Sequence, residues 1–364
     1  MMDISALDTF LAAPLAPLAG AILFWSIQIL MAEGLKTLLR EIWDNHRAFC
    51  RFSNFVALLF QAVSHMLGYT LTGIGVGEFS LSIGNARVTP KREKRGFPSI
   101  LANVFLLFGP FFIPPLILFL ILLPFTPGME IMECYTFSTA LISFGSLLQQ
   151  YGMNFLTIIV NLDLFNPFHL MFLVAVILIG LGIRPSFIED EERKYRMIDD
   201  LAKIRDFFIS HPKSILIFFV SIYILFYILY FLKLPYYVLI FSFFGWLSLI
   251  SIVSLLIASL FVFLIMVSDR LPSFKKYLPL IVFVLSYISL RVTFTFVRTD
   301  MDLAITNIAS SSLTFVSSAI ALKMEMDRQK LREGLQSLRE VKEKKIDKED
   351  KEEGKKILKE TENQ

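Results

Sequence analysis

Cysteine is nearly absent from this sequence, which has two in 364 residues, Cys50 and Cys134. Two cysteines are too few for a zinc knuckle or a disulfide framework, and we expect both to be reduced, packed thiols. The net charge of +3 gives no indication of nucleic-acid binding. The sequence also has no CxxC pair, no Gly-rich phosphate loop and no Ser-His-Asp arrangement. It therefore contains no motif for dithiol redox chemistry, nucleotide binding or serine hydrolysis.

Hydrophobic residues are abundant instead, at 55% of the chain with 37 Phe. Several apolar runs exceed 18 residues, which is enough to span a bilayer core of about 30 Å. They lack the period-2 alternation of barrel strands, so they predict helices. We predict an all-α polytopic membrane protein with about eight transmembrane helices and a small β-hairpin after the second span. The predicted spans are 10–31, 52–73, 99–126, 153–183, 214–232, 236–268, 277–297 and 303–322.

The chain starts with Asp3 and Asp8 and no Lys or Arg, so we interpret the first apolar run as a retained anchor and not as a signal peptide. A further run at 131–150 could be a span or an interfacial helix. In the third span, Gly109-Pro110 and Pro114-Pro115 predict a kink whose freed backbone groups are satisfied by neighbouring helices.

Loop charge predicts the orientation. Loops 74–98, 184–213 and 269–276 are rich in Lys and Arg, and the loops between them are nearly bare. The positive-inside rule then places these three loops and the C-terminal tail in the cytoplasm, and we expect a plasma-membrane location. Loop 32–51 falls outside as a misfit. Cys50 and Cys134 would then share the outer face, where an impermeant thiol reagent should reach Cys50 if it is exposed.

The C-terminal tail differs from the rest of the chain. Leu331, Leu335, Leu338 and Val341 recur at helical spacing among charges and predict a short amphipathic or coiled-coil helix. From Lys342 onward almost no residue is apolar, so order is not expected without a partner. A solvated tail that aids solubility is an equally good interpretation.

A polar stretch follows the second predicted span. Val76-Gly-Glu-Phe-Ser-Leu-Ser-Ile83 alternates like a strand, and Gly84-Asn85 indicates a turn. Just before it, the helix carries His65-Met66-Leu67-Gly68-Tyr69. This window resembles the His-Glu-x-x-His motif of the site-2 protease family of intramembrane zinc metalloproteases, with Met66 in place of the general base and Tyr69 in place of the second His ligand.

The same resemblance directs attention to the break Asn161-Leu-Asp-Leu-Phe-Asn-Pro-Phe-His169. The family's third zinc ligand is an Asp after such a Pro-containing break, so the resemblance implies that Asp163 or His169 stands in its place. Asn166 precedes Pro167 and should end a helix there. The implied metal set is therefore His65, Asp163 and His169, with no catalytic residue because Met66 cannot activate water. No cofactor is expected, and zinc is the one candidate.

These observations define four segments. They are an N-terminal anchor and amphipathic loop at 1–51, a protease-like membrane core at 52–190, an additional transmembrane bundle at 191–322 and a charged cytoplasmic tail, helical or disordered, at 323–364.

Three functions remain open. The leading hypothesis is a degenerate relative of the intramembrane metalloproteases that binds or scaffolds membrane clients in the lipid bilayer, with a partner for the C-terminal helix. The second is an active zinc protease with altered ligands. The third is a transporter or channel whose path is lined by Arg291 and the kinked third span, although Arg291 could equally pair with Asp300 or Asp302.

Overall fold

The computed structural model describes residues 8–82, 86–92, 96–125, 136–183, 205–206, 209, 212–234, 236–297 and 301–362. It is 86% helical with one two-stranded antiparallel sheet. The longer helices are α1 (Ala16–Glu41), α2 (Arg47–Leu71), α3 (Gly96–Leu122), α4 (Phe137–Val160), α5 (Pro167–Gly182), α6 (Pro212–Phe231), α7 (Tyr236–Arg270), α8 (Leu278–Phe296) and α9 (Asp302–Glu362). The strands are β1 (Val76–Leu81) and β2 (Ala86–Pro90).

Four helical segments of the described chain are long and apolar enough to cross a membrane. They are Ala13–Glu41, Tyr236–Arg270, Phe274–Phe296 and Asp302–Gln336. Three shorter apolar segments are Phe108–Leu122, Pro167–Gly182 and Ile215–Phe231. This set is typical of an integral membrane protein. The two other long helices, α2 and α4, are in neither group.

The predicted span 153–183 is two helices. Helix α4 starts at a capping box formed by Thr136 and Thr139 and ends at Val160. The helix therefore includes most of the 131–150 run. Asn166 has an extended backbone, and its side chain accepts a hydrogen bond from the Phe168 N–H at 3.0 Å. The predicted break before Pro167 is therefore confirmed, because Asn166 caps a new helix there.

The proline-rich helix α3 is supported by its neighbour α1. Pro115 has no N–H, so the carbonyl of Phe111, four residues earlier, loses its partner within the helix. The fully buried Gln28 donates its side-chain amide to this carbonyl at 2.8 Å. The predicted rescue by a neighbouring helix is thus confirmed at Phe111.

Helices α1 and α7 run parallel along most of the bundle. At one end the Tyr237 hydroxyl donates to the Pro14 carbonyl. At the other end Arg270 contacts Glu41 at 3.0 Å, and His46 contacts Asp269 at 2.8 Å. We call the first the far end and the second the basic end, which comprises residues 40–51 and 269–276.

The basic end corrects the predicted topology. Loops 32–51 and 269–276 were expected on opposite faces because five predicted spans, an odd number, separate them. Their contacts place them at the same end of the bundle, which requires an even number of complete crossings between them.

Helix α9 pairs with α8 and returns to the basic end, where Lys275 contacts Glu325 at 3.4 Å. It then continues without interruption to Glu362, so the expectation of disorder from Lys342 is wrong. Pairs of opposite charge four residues apart, such as Glu340 with Lys344 and Glu352 with Lys356, favour a helix in this sequence.

Cys50 is a buried thiol outside any disulfide, with 1% of its surface exposed, and it donates to the Leu39 carbonyl at 3.6 Å. The prediction of a packed, reduced thiol is confirmed for Cys50. The expected reaction with an impermeant thiol reagent was conditional on exposure, and this condition is not met because the thiol is enclosed in the core. Cys134 lies outside the described residues.

The predicted hairpin after α2 is confirmed. Strands β1 and β2 are antiparallel, with Phe79 opposite Val88 and Leu81 opposite Ala86. The predicted turn residues Gly84 and Asn85 lie outside the described part. The hairpin packs on the end of α2 through a small apolar cluster of Tyr69, Ile74 and Ala102 with Val76 and Val88.

Candidate functional site

The connection between α4 and α5 holds the first part of a charge network. The Asp163 backbone N–H donates to Nδ1 of His169 at 2.9 Å, so His169 folds back over the turn. The Asp163 carboxylate accepts from the Phe165 N–H at 3.0 Å and from the Tyr287 hydroxyl at 3.3 Å. Tyr287 also accepts from the Leu164 N–H at 2.9 Å. This turn is thereby tied to α8.

Arg291 of α8 completes the network. Its guanidinium contacts the Asp163 carboxylate at 3.5 Å and the Asp302 carboxylate, at the start of α9, at 3.1 Å. The three side chains are 24%, 26% and 36% exposed, respectively. One cation therefore bridges two carboxylates in a half-buried setting, where Coulombic attraction is screened less than at the surface.

The second turn of α9 fixes the end of α4. The Asn307 side-chain amide donates to the carbonyls of Val160 and Leu162 at 2.8 Å and 2.7 Å. Val160 is the last residue of α4, so its carbonyl is one of those that a helix end leaves without a partner within the helix, and Leu162 lies in the connection that follows. The break is thus capped from a helix 145 residues later in the chain.

An open pocket lies beside the network, lined by Phe165, Ile288, Arg291, Val292, Phe294, Thr295 and Asp302. Its charged groups already have partners within the chain. Arg291 is shared by two carboxylates, and Asp302 also accepts from the Leu303 N–H at 2.7 Å. The network is therefore suited to holding the α4–α5 connection, α8 and the start of α9 together.

The predicted pairing of Arg291 with Asp302 is confirmed, and Asp300 lies outside the described residues. Sequence reasoning missed the second partner, Asp163. The available signal was an acid in a helix break of an apolar chain, since ionisable groups in such segments tend to pair with one another. The loops alone do not reveal which helix supplies the cation.

The structure brings two of the three predicted metal ligands together, Asp163 and His169. His65 lies on α2, whose Val56 and Phe60 pack at Gly182, the opposite end of α5 from His169. In the described part of the chain, no three His, Cys, Asp or Glu side chains form a group that could hold a metal ion. Because His169 accepts through Nδ1, its neutral ring carries the proton on Nε2, and neither nitrogen then offers a lone pair. The metal assignment stays a prediction.

The remaining positions of the His65 window are used for packing. Tyr69 is 4% exposed and belongs to the apolar cluster with Ile74 and Ala102. Gly68 lies so close to Phe105 that an added Cβ would be 2.8 Å from the Phe105 Cβ. Helices α2 and α3 therefore make their close contact at this window.

No family model, no curated protein and no solved structure matches this chain.

Proposed function

We propose that this chain is a non-catalytic membrane scaffold, in which a helical bundle anchors a long charged helix that binds clients at the membrane surface. The observation that supports it is the continuity of α9. One helix begins at Asp302 in the charge network, passes the basic end and continues to Glu362. Residues 337–362 alone add about 39 Å at the α-helical rise per residue.

The proposed topology has seven crossings, close to the eight expected from the sequence. The four long and three shorter apolar segments cross, whereas α2 and α4 do not. Four of these crossings, in α3, α5, α6 and α7, separate the two loops of the basic end. This even number agrees with the His46–Asp269 contact. The concentration of Lys and Arg favours a cytoplasmic basic end and tail. Plasma-membrane location stays a prediction.

The side chains of the α9 segment that follows Glu325 are exposed. Residues 326–336 are all exposed, including Leu331 at 66% and Leu335 at 53%. Leucines at this spacing lie on one side of a helix, and a second amphipathic helix could cover them. A helical cytoplasmic segment of another membrane protein is the partner class that fits this surface.

A client bound to α9 would be coupled to the bundle. The same helix supplies Asp302 to Arg291 and Asn307 to the end of α4, so its position and that of the α4–α5 break depend on each other. A rigid connection of this kind is useful to a scaffold, because the client is held at a defined position relative to the membrane.

The protease relationship is part of this proposal and is supported by the sequence window at His65. In a degenerate member, Met66 and Tyr69 replace the base and a ligand, and Tyr69 has become a packing residue. An active zinc protease stays an alternative hypothesis. The transporter hypothesis is favoured by the helix break beside Arg291, because discontinuous helices often form transport sites. The saturation of the network by contacts within the chain favours a structural role.

Site-specific photocrosslinking in cells tests the scaffold function. A photoreactive residue is placed singly at Leu331, Lys330, Arg332 and Leu335 of the full chain. We expect one discrete adduct from positions 331 and 335, because a helical partner covers one side of α9. Positions 330 and 332, which point elsewhere, serve as matched controls. Equal yields at all four positions, or no adduct at 331 and 335, would contradict the proposal.

A further inference from the structure

Helices α1 and α3 meet at the proline-rich part of α3. The centre of the Trp25 ring lies 4.9 Å from that of Phe108 and 6.1 Å from that of Phe111. Three residues further along α1, the Gln28 side-chain amide donates to the Phe111 carbonyl. Residues three apart lie on the same side of a helix. Trp25 and Gln28 therefore face the same turn of α3.

Each of these two α1 side chains has one polar atom that forms no hydrogen bond within the described part of the chain. In Trp25 this atom is the indole nitrogen, Nε1, and in Gln28 it is the amide oxygen, Oε1. Both atoms are buried. The indole N–H can only donate a hydrogen bond, and the amide oxygen can only accept one. The two atoms are chemically complementary, yet they do not bond to each other directly.

Trp25 cannot satisfy its N–H within its own helix. A buried serine hydroxyl can turn to a carbonyl one turn earlier, as Ser251 does to Leu247 at 2.8 Å. An indole ring is rigid and holds its N–H away from the helix backbone, so a buried tryptophan needs a partner elsewhere. Trp246 shows the usual solution, since its indole N–H donates to the Leu147 carbonyl of α4 at 3.4 Å. Trp25 requires a partner that the described residues around it do not supply.

The contact between α1 and α3 lies midway along the first long apolar segment. Gln28 follows Pro14, at the far end, by 14 residues and precedes Glu41, at the basic end, by 13 residues. At the helical rise per residue, Gln28 is about 20 Å from either end. Lipid offers no hydrogen bonds at such a depth, so polar groups there are paired within the protein or by ordered water. Leaving both buried atoms unpaired would be costly.

We propose that Trp25 and Gln28 bind one buried water molecule between α1 and α3. The water accepts a hydrogen bond from Trp25 Nε1 and donates one to Gln28 Oε1. Its second hydrogen bonds to the Phe111 carbonyl, which has a second lone pair beside the one that Gln28 uses. Three bonds of this kind are typical of a buried water. The site does not depend on the scaffold function or on any client bound to α9.

The water also fixes the orientation of Gln28. With Oε1 held by the water, Nε2 stays directed at the Phe111 carbonyl, which Pro115 leaves without a donor within the helix. In the opposite orientation the amide oxygen would face this carbonyl, and two acceptors would repel each other. Trp25 is therefore a positioning residue, because it acts on the proline-rich helix through the water and through Gln28.

The test uses the full chain in nanodiscs, with isotope-labelled tryptophan. NMR cross-relaxation is measured from water protons to the indole N–H protons, and its sign distinguishes a bound water from hydrogen exchange. The signals are assigned by their loss in Trp25→Phe and Trp246→Phe. We expect the transfer to Trp25 to be at least threefold stronger than that to Trp246, whose N–H donates to a carbonyl. Transfer to Trp25 that is no stronger than that to Trp246 would overturn the proposal.

Two variants of α1 locate the water. Gln28→Leu removes the acceptor Oε1 and should reduce the transfer to Trp25 at least twofold. Ser26→Ala removes the hydroxyl nearest in sequence, which donates to the Ile22 carbonyl at 2.8 Å, and it should leave the transfer unchanged. If Gln28→Leu does not fold, Gln28→Met replaces it with an unbranched side chain. Undiminished transfer in the Gln28 variant, or its loss in Ser26→Ala, would contradict a water bound by Trp25 and Gln28.

Discussion

The basic end and the α4–α5 break are both held by ion pairs, but these pairs differ in their surroundings. At the basic end, Arg270 and Glu41 are 48% and 52% exposed. At the break, Arg291 is 24% exposed and is shared by Asp163 and Asp302. Exposed pairs contribute little because water screens them, whereas losing one partner of a buried pair leaves an uncompensated charge. We therefore expect the α4–α5 break to depend on Arg291 more than the basic end depends on the Arg270–Glu41 pair.

The largest effect is expected from Arg291→Leu. This change leaves two half-buried carboxylates without their cation, and it should lower the free energy of unfolding by about 2–3 kcal/mol. SDS titration of the purified protein, followed by circular dichroism, measures the change. Arg291→Lys should recover only part of it, because one ammonium group replaces the two guanidinium nitrogens that face the two carboxylates. A loss below about 0.5 kcal/mol for Arg291→Leu, within the range of exposed pairs, would remove the proposed difference between the two regions.

A smaller effect is expected from Gln28→Leu, which leaves the Phe111 carbonyl without its donor. We expect a loss of about 1 kcal/mol, typical of a hydrogen bond between membrane helices. Pro115→Ala restores a backbone N–H four residues after Phe111, so Gln28→Leu should cost much less in that background. The same SDS titration on both single variants and the double variant measures this coupling. Equal losses in the two backgrounds would show that Gln28 acts by packing alone.

Removal of the exposed pair at the basic end should have little effect. Glu41→Gln and Arg270→Gln should each change the free energy of unfolding by less than about 0.5 kcal/mol, and less at high salt. Unfolding titrations at low and high salt check both values. A loss as large as that of Arg291→Leu would mean that exposure does not separate the two regions.

The least effect on the native protein is expected at the protease-like window. We predict far less than one zinc per chain, and almost no change in stability for His65→Ala. Met66→Glu with Tyr69→His should bind more zinc, and adding His65→Ala should remove the gain, because positions 65 and 69 share one side of a helix. Elemental analysis of protein in mild detergent measures the metal.

Tyr69→His alone is the control for this experiment, since it disturbs the buried cluster with Ile74 and Ala102. Stoichiometric zinc in the native protein, lost in His65→Ala, would favour an active or structural metal site. A folded double variant without added zinc would argue that the resemblance at this helix is coincidental. Cobalt spectra would reveal a weak two-ligand site.

Local features of the fold were accessible from the sequence because they depend on neighbouring residues. The hairpin at Val76, the helix break before Pro167 and the rescue of the proline-rich helix follow from alternation, from proline geometry and from the need to satisfy backbone groups. The pairing of Arg291 with Asp302 was also accessible, since only 11 residues separate them.

Long-range features were not accessible in the same way. Asp163 lies 128 residues before Arg291, and no local pattern joins them. The predicted sides of loops 32–51 and 269–276 depended on the number of membrane crossings between them. An error of one crossing reverses the side assigned to every later loop. The helical tail after Lys342 was missed because low hydrophobicity was weighed above opposite-charge pairs along the helix.

Cysteine labelling from the two sides of sealed vesicles tests the arrangement of the bundle most directly. In a background without Cys50 and Cys134, single cysteines replace Asn45, Lys233 and Lys276. The structure predicts that positions 45 and 276 react from the same side, because His46 contacts Asp269, and that position 233 reacts from the other side. Reaction of positions 45 and 276 from opposite sides would contradict the shared basic end and the topology derived from it.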